Sequence, residues 1–132
     1  MKRLLSRACV FVDVPVEGLA MYILIVDDEP DLCEYLQRVI CGLGHEADIA
    51  LSGAGAILTC SKRMPNIIFM DFQMPGMSGA EAGRRIKKMG GKVIFLSGNT
   101  CPLAGETCMQ KPVCKKDLEK IITDLEHSVN GQ

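Results

Sequence analysis

Short apolar runs alternate with longer segments of helical periodicity along most of the chain. The runs at residues 22–26, 67–70 and 92–96 are almost entirely apolar, as expected for parallel strands that are buried on both faces. Residues 46–50 and 108–111 are weaker strand candidates. Because strands alternate with helices, the pattern predicts an α/β domain whose parallel sheet is covered on both sides.

Apolar residues at helical spacing fill the segments between the predicted strands. The first helix begins at Pro30, which a helix accepts at its first position, and ends near Gly42. Ser52 is placed to cap a second helix, and residues 78–89 form a third. The last helix has one apolar face, formed by Leu118, Ile121, Ile122, Leu125 and Val129.

The length of 132 residues fits one domain with one core. We place this domain at residues 21–127. Residues 1–20 lack periodicity and are interpreted as a poorly ordered N-terminal extension, and residues 128–132 as a C-terminal tail. The apolar stretch between Arg7 and Asp13 is too short for a secretory signal peptide.

Composition argues against several classes of protein. The net charge is −1, without the basic stripe of a nucleic-acid partner, and no apolar run approaches the roughly 20 residues of a membrane span. Four cations of the third helix, Arg84, Arg85, Lys87 and Lys88, are interpreted as a solvated face. The seven cysteines are scattered and lack a C-x-x-C pair, so we interpret them as small hydrophobic residues of a reducing, cytoplasmic compartment.

Four predicted strands end on reactive side chains. Asp27 and Asp28 follow the first strand, Asp71 ends the central one, and Ser97 and Lys111 end the last two. The carboxyl ends of parallel strands share one edge, where open α/β sheets place their ligand sites. Three close carboxylates repel unless a cation neutralises them, and oxygen ligands suit Mg²⁺. The set predicts a phosphoryl site beside a metal, with a carboxylate to receive the phosphoryl group.

Four motifs, in this order, resemble the response-regulator receiver domain of two-component signalling. They are residues 25–30 (IVDDEP), 70–79 (MDFQMPGMSG), 95–98 (FLSG) and 111–112 (KP). The resemblance extends from residue 22 to about residue 127. It implies a flavodoxin-like, doubly wound five-stranded parallel sheet in the order 2-1-3-4-5, with helices on both faces.

The resemblance also implies a role for each strand-end residue. Asp71 would receive a phosphoryl group from the phosphohistidine of a histidine kinase or histidine phosphotransferase. Asp28 and Asp71 would bind Mg²⁺ directly, together with the backbone carbonyl of Gln73, and Asp27 would hold the ion through water. The two remaining strand-end side chains would bind the phosphoryl oxygens: Ser97 and Lys111.

Two departures from the family pattern affect the expected signalling change. The family has a tyrosine or phenylalanine three residues before the lysine, whereas this chain has Cys108. The segment between Ser97 and Lys111 is too short for a helix of about 11 residues with loops of about 2–6 residues beside the last strand. We therefore predict that the fourth helix is reduced or absent, and that residues 98–107 move on phosphorylation.

Three functions compete at this stage. The first is a stand-alone phosphoacceptor, which is no enzyme beyond Mg²⁺-dependent phosphorylation and dephosphorylation of its own Asp71. The second is a degenerate receiver that binds a protein without phosphorylation, and the third is a hydrolase of the haloacid-dehalogenase type. All the expected site residues are present, and Gln73 stands where that hydrolase family has its second aspartate. The phosphoacceptor is therefore favoured, with a downstream target that the sequence does not name.

Overall fold

The structure is a computed structural model that describes residues 20–98 and 107–130 and the backbone of residues 2–3 and 12–13; for residues 127–130 it likewise describes the backbone alone. Five strands of the described chain form one parallel sheet in the order β2-β1-β3-β4-β5. They are β1 (Tyr22–Val26), β2 (Glu46–Ala50), β3 (Ile67–Asp71), β4 (Val93–Ser97) and β5 (Cys108–Gln110). The predicted doubly wound sheet is confirmed.

Four helices connect or follow these strands. They are α1 (Pro30–Gly42), α2 (Gly53–Lys62), α3 (Gly79–Lys88) and α4 (Lys115–Asn130). The predicted cap of α2 is confirmed, and α3 is capped in the same way. Ser52 accepts a hydrogen bond from the Gly55 N–H at 3.0 Å, and Ser78 accepts one from the Glu81 N–H at 3.2 Å, so each hydroxyl satisfies a donor of the first turn.

The core lies in two layers, one on each face of the sheet. Every residue of β1, β3 and β4 is buried, and alternate residues of each strand face opposite layers. One layer packs against α1 and α4, and the other against α2 and α3. Burial on both faces explains why these strands are continuous apolar runs in the sequence.

Several expectations fall largely outside the described residues. Lys2–Arg3 pairs with Val12–Asp13 as a short antiparallel ladder, and the remainder of residues 1–19 is not described. Residues 99–106 are not described either, so the reduced fourth helix and the moving segment stay predictions. None of the helices in the described ranges has the length and apolar character that a bilayer span requires.

The cysteines differ from the sequence-based interpretation. Cys33, Cys60 and Cys114 carry free thiols, and the first two are buried as small hydrophobic residues. Cys41 and Cys108 are disulfide-bonded. The interpretation of all seven as reduced residues is therefore wrong for these two, because sequence spacing does not reveal which thiols meet in the fold.

Candidate functional site at the carboxyl edge of the sheet

The strand register brings the predicted carboxylates together. Val26 pairs with Met70, so Asp27, which follows β1, lies beside Asp71 at the end of β3. Carboxylate oxygens of Asp27, Asp28 and Asp71 all lie within 4.8 Å of one another. Asp27 and Asp71 are buried, whereas Asp28 is exposed. The edge therefore holds a compact acidic cluster with one side open to solvent.

Lys111 joins two members of this cluster. Its Nζ lies 2.9 Å from Oδ2 of Asp27 and 3.1 Å from Oδ1 of Asp71. Burial opposes the charge of Lys111, but the bonds to Asp27 and Asp71 outweigh it, and the pKa of the ammonium is raised. Lys111 therefore remains a cation at the centre of the site.

The pKa of Asp71 is raised above its ordinary value. Burial is the main cause, and the neighbouring charge of Asp27 adds to it. The Lys111 ammonium and the backbone N–H of Gln73, which both bond to the carboxylate, act in the opposite direction. The ionised form of Asp71 is therefore unfavourable in the folded protein unless a further cation binds beside it.

Ser97 and Gln73 also lie at the carboxyl edge of the sheet, but Ser97 is buried and the side chain of Gln73 is exposed. Ser97 is the buried last residue of β4, and its carbonyl accepts a hydrogen bond from the Lys111 N–H at 2.7 Å. This bond ties the end of β4 to the residue that carries the ammonium. The side chain of Gln73 is exposed, so its backbone is the part of this residue that contacts Asp71.

Asp27 is fixed on several sides. Its Oδ1 accepts a hydrogen bond from the Glu29 N–H at 3.0 Å, and its backbone N–H donates to the Ala50 carbonyl at 3.2 Å. The Cys33 thiol donates to the Asp27 carbonyl at 3.4 Å, and burial raises the pKa of this thiol to about 12. Sequence analysis missed this contact, because no motif includes Cys33.

Gly79 holds the loop that follows Asp71. The Gly79 N–H donates to the Phe72 carbonyl at 3.0 Å. A Cβ at Gly79 would collide with the backbone carbonyl of Asp71, so the start of α3 approaches the acceptor strand as closely as glycine alone permits. Gly79 closes the MDFQMPGMSG motif, which was the available signal for this requirement.

The donor set fits a hard divalent cation. All three candidate ligands are carboxylate oxygens, and within the described ranges Lys111 is the cation paired with them. A negative excess therefore remains. Exposed Asp28 also leaves room for the waters that Mg²⁺ retains. The site can hold such an ion and place positive charge on both sides of Asp71.

The chain matches the family model of the response regulator receiver domain over residues 23–123, and it belongs to that family. Receiver domains bind Mg²⁺ at an acidic pocket of the kind formed here. A receiver domain protein (CheY-like) from Methanospirillum hungatei is 25% identical with a TM-score of 0.76, and the match covers 86% of this chain and all of that one. The family match and this structural likeness together establish the receiver fold of the protein and its place in the phosphorelay class of signalling proteins.

Two curated relatives place similar sequences within larger proteins. The DNA-binding response regulator MtrA of Mycolicibacterium smegmatis is 30% identical over 86 residues, which are 64% of this chain and 38% of the relative. A protein-glutamate methylesterase/protein-glutamine glutaminase of Mesorhizobium japonicum is 41% identical over 68 residues, 50% of this chain and 20% of the relative. The chain therefore spans well under half the length of these relatives.

Proposed function

We propose that this receiver domain is a working phosphoacceptor, in which Asp71 takes a phosphoryl group from a phosphohistidine and the change in charge alters the fold around it. The observation that carries the proposal is the position of Lys111, which contacts Asp27 and Asp71 at once. A protein that only used this edge for packing would gain nothing from an acidic cluster with one half-buried cation.

Each residue has a task in the proposed transfer. An oxygen of Asp71 attacks the phosphorus, and the bond from phosphorus to the histidine nitrogen breaks. Asp28, Asp71 and the Gln73 carbonyl would hold Mg²⁺ directly and Asp27 would hold it through water, and the ion would supply the positive charge that the phosphoryl oxygens require. Lys111 and the Ser97 hydroxyl would bind the remaining phosphoryl oxygens, which carry the negative charge of the group that is transferred to Asp71.

An apolar groove beside Lys111 supports a protein as the phosphoryl donor. It has a volume of about 660 Å³ and is lined by Leu32 and Tyr35 of α1 and by Pro112 and Val113 after β5. Tyr35 is 42% exposed, so part of its ring is accessible to a protein that docks in this groove. We propose that a histidine kinase or histidine phosphotransferase docks here, with its phosphohistidine facing Asp71.

Intact-mass measurement after incubation with acetyl phosphate and Mg²⁺ tests the proposal. We expect one added phosphoryl group on the wild-type protein, and none after chelation of Mg²⁺ or in Asp71→Asn. The matched control is Asp48→Asn, which makes the same chemical change in the middle of the edge strand β2 and is expected to be phosphorylated. An Asp71→Asn protein that gains the group at the wild-type rate would rule out Asp71 as the acceptor.

The metal assignment has its own test. Asp28→Ala is expected to weaken Mg²⁺ binding more than Asp27→Ala, because Asp28 is proposed as a direct ligand and Asp27 as a ligand through water. A calorimetric titration of both variants measures this difference, and equal affinities would contradict the assignment. Catalysis of other substrates is not part of the proposal: phosphate release is expected only from the protein's own phosphorylated Asp71.

The domain boundaries and the location belong to the same proposal. A chain that begins at Met21 is expected to fold and to be phosphorylated as the full chain is. We also propose a cytoplasmic location, in keeping with the free thiols of Cys33 and Cys60. The disulfide-bonded Cys41 and Cys108 make a thiol count, before and after reduction, the direct measurement for this part of the proposal.

A further inference from the structure

The polar groups of Asp27 are each bonded to a different part of the chain. Its N–H donates to the Ala50 carbonyl at 3.2 Å, and its carboxylate oxygens accept from the Glu29 N–H at 3.0 Å and from the Lys111 ammonium at 2.9 Å. Its backbone carbonyl is the remaining group, and it accepts from the Cys33 thiol at 3.4 Å. The thiol therefore completes the bonding of a wholly buried acid.

Bulk water does not reach the bond between the thiol and this carbonyl. Asp27 and Cys33 are both 0% exposed, and the side chain of Glu29 makes no capping hydrogen bond at the start of α1. A thiol is a weak donor, but a buried carbonyl that is left without a donor is costly. Within the described part of the chain, Cys33 is the residue that supplies this donor.

The Asp27 carbonyl belongs to the same rigid peptide unit as the Asp28 N–H. The orientation of that unit sets the direction in which the Asp28 side chain leaves the backbone. Asp28 is exposed, and within the described ranges its carboxylate forms no hydrogen bond or ion pair of its own. Its position beside the carboxylates of Asp27 and Asp71 therefore depends on the backbone that the Cys33 thiol holds.

We propose that Cys33 is a positioning residue for the Mg²⁺ site. Its thiol fixes the peptide unit between Asp27 and Asp28, and this keeps the exposed carboxylate of Asp28 next to the carboxylate of Asp71. Cys33 acts through the backbone and is not itself a ligand. The inference deepens the proposed function, because it rests on the assignment of Asp28 as a direct ligand.

A role of Cys33 in packing alone would have different consequences. The residue belongs to the core layer that packs against α1 and α4, and packing depends on the volume and shape of a side chain. Positioning depends instead on a donor at the end of a short side chain, which serine retains and which alanine and valine lack. Because alanine is smaller than cysteine and valine is larger, volume and hydrogen bonding can be separated at this one position.

Calorimetric titration of the metal-free full chain with Mg²⁺ tests the proposal. Cys33→Ala and Cys33→Val are both expected to weaken Mg²⁺ binding about tenfold, the lower end of the loss for a group that orients a metal ligand. Cys33→Ser is expected to stay within about threefold of the wild type, because its hydroxyl can donate to the same carbonyl. Circular dichroism verifies folding, and if the alanine variant does not fold, the comparison of valine with serine gives the same test.

Cys60 supplies the matched control, because it is a second buried free thiol. It lies in α2, in the core layer on the opposite face of the sheet. Cys60→Ala and Cys60→Val make the same changes in volume, and each is expected to alter Mg²⁺ affinity less than about twofold. In the two donor-free Cys33 variants, half-maximal phosphorylation by acetyl phosphate should need about tenfold more Mg²⁺, whereas the rate at saturating Mg²⁺ should stay within about twofold of the wild type.

Four results would overturn the positioning role. They are wild-type Mg²⁺ affinity in the donor-free Cys33 variants, an equal loss in Cys33→Ser, affinities that follow side-chain volume, and an equal loss in the Cys60 variants. A wild-type protein that binds no Mg²⁺ would overturn the proposed function as well. If the wild type binds Mg²⁺ and is phosphorylated while the Cys33 variants behave as it does, the positioning role alone fails, so the two failures are distinguishable.

Discussion

The two ends of the parallel sheet differ in how far their charged side chains are paired. At the amino end, the Arg63 guanidinium bonds to both carboxylate oxygens of Glu46, at 2.7 and 3.0 Å, and lies 3.8 Å over the Tyr22 ring. The Tyr22 hydroxyl donates to Asp48 at 2.9 Å. At the carboxyl end, three carboxylates lie close together, and Lys111 pairs with two of them. One end pairs its charges, and the other keeps an excess.

A second polar cluster at the amino end also consists of groups that bond to one another. Nδ1 of His45 accepts a hydrogen bond from the Met21 N–H at 3.0 Å, and its Nε2 lies 3.4 Å from a carboxylate oxygen of Glu126 in α4. Burial lowers the pKa of His45, although Glu126 opposes the change. The comparison shows that paired groups at one end hold the fold, whereas the excess of carboxylates over cations at the other leaves the site ready for a cation and a phosphoryl group.

Removal of the Lys111 ammonium should give the largest change in stability. In Lys111→Met the buried carboxylates of Asp27 and Asp71 lose their half-buried partner, and we expect the free energy of unfolding to fall by about 3 kcal/mol, the lower end of the cost of breaking a buried pair. Mg²⁺ should restore more stability to this variant than to the wild type, because it supplies the missing charge. Urea denaturation with and without Mg²⁺ measures both effects.

Exposed Lys92 provides the control for this variant. Lys92→Met removes a cation from the start of β4, away from the carboxylates, and should change stability by less than about 0.5 kcal/mol. An equal loss in both variants would show that Lys111 contributes net charge alone and does not hold the acidic cluster together.

Loss of the Arg63 guanidinium should have a smaller effect on stability and none on phosphorylation. Arg63→Met removes a bidentate ion pair and a cation–π contact, and we expect about 1–2 kcal/mol of destabilisation. Lys62→Met, at the exposed neighbouring position, is the control. A slower gain of phosphoryl mass in Arg63→Met, in conditions where it is fully folded, would contradict the separation of the two ends.

His45 should make the amino end sensitive to acid. Because its pKa is lowered in the folded protein from 6.5, the unfolded chain binds the proton more readily. Stability is therefore complete above about pH 6.5 and declines as the pH falls below that value. His45→Asn, which keeps an acceptor for the Met21 N–H without titrating in this range, should flatten the decline. Urea midpoints at several pH values measure the slope.

The other histidine supplies the control for this pH dependence. His127→Gln should leave the slope between pH 7 and pH 5 as it is in the wild type, since the proposed titration belongs to His45. If His45→Asn retained the full slope, the acid sensitivity would have to arise from another group.

The smallest expected effect concerns two isosteric substitutions whose changes in stability should differ in sign. The pKa of Asp71 is raised in the folded protein, so its ionisation at neutral pH opposes folding. Asp71→Asn should therefore stabilise the metal-free protein, whereas Asp48→Asn should leave it unchanged or less stable, each by less than about 1 kcal/mol. Paired thermal melts in the absence of divalent ions measure the signs, and a destabilised Asp71→Asn would contradict the conclusion that ionised Asp71 is unfavourable in the folded protein.

The reactive residues at the carboxyl end could be predicted from the sequence because each is marked by its immediate neighbours in the chain. Each reactive residue directly follows an apolar run, and burial on both faces makes those runs easy to find. The order of the strands, by contrast, followed from the resemblance to receivers. The contact of Lys111 with Asp27 as well as Asp71 depended on the register, which local patterns do not specify.

The amino end could not be predicted in the same way. Tyr22, Glu46 and Arg63 lie in three separate elements, and each alone has the appearance of an ordinary surface or strand residue. His45 meets Glu126 only because α4 packs on the same face of the sheet as α1. Pairings of this kind arise from packing between distant segments, as does the choice of partners for Cys41 and Cys108.

Amide hydrogen exchange should be slow in one strand of the site, β3, and fast in another, β5. Asp71 ends β3, which has a strand on each side and is buried throughout, so its amides should exchange only when the whole domain opens. Lys111 follows β5, a three-residue strand at one edge of the described sheet. Brief opening of β5 would withdraw the ammonium while the carboxylates stay in place, so the lifetime of the Lys111 contact is set by the least protected strand of the sheet.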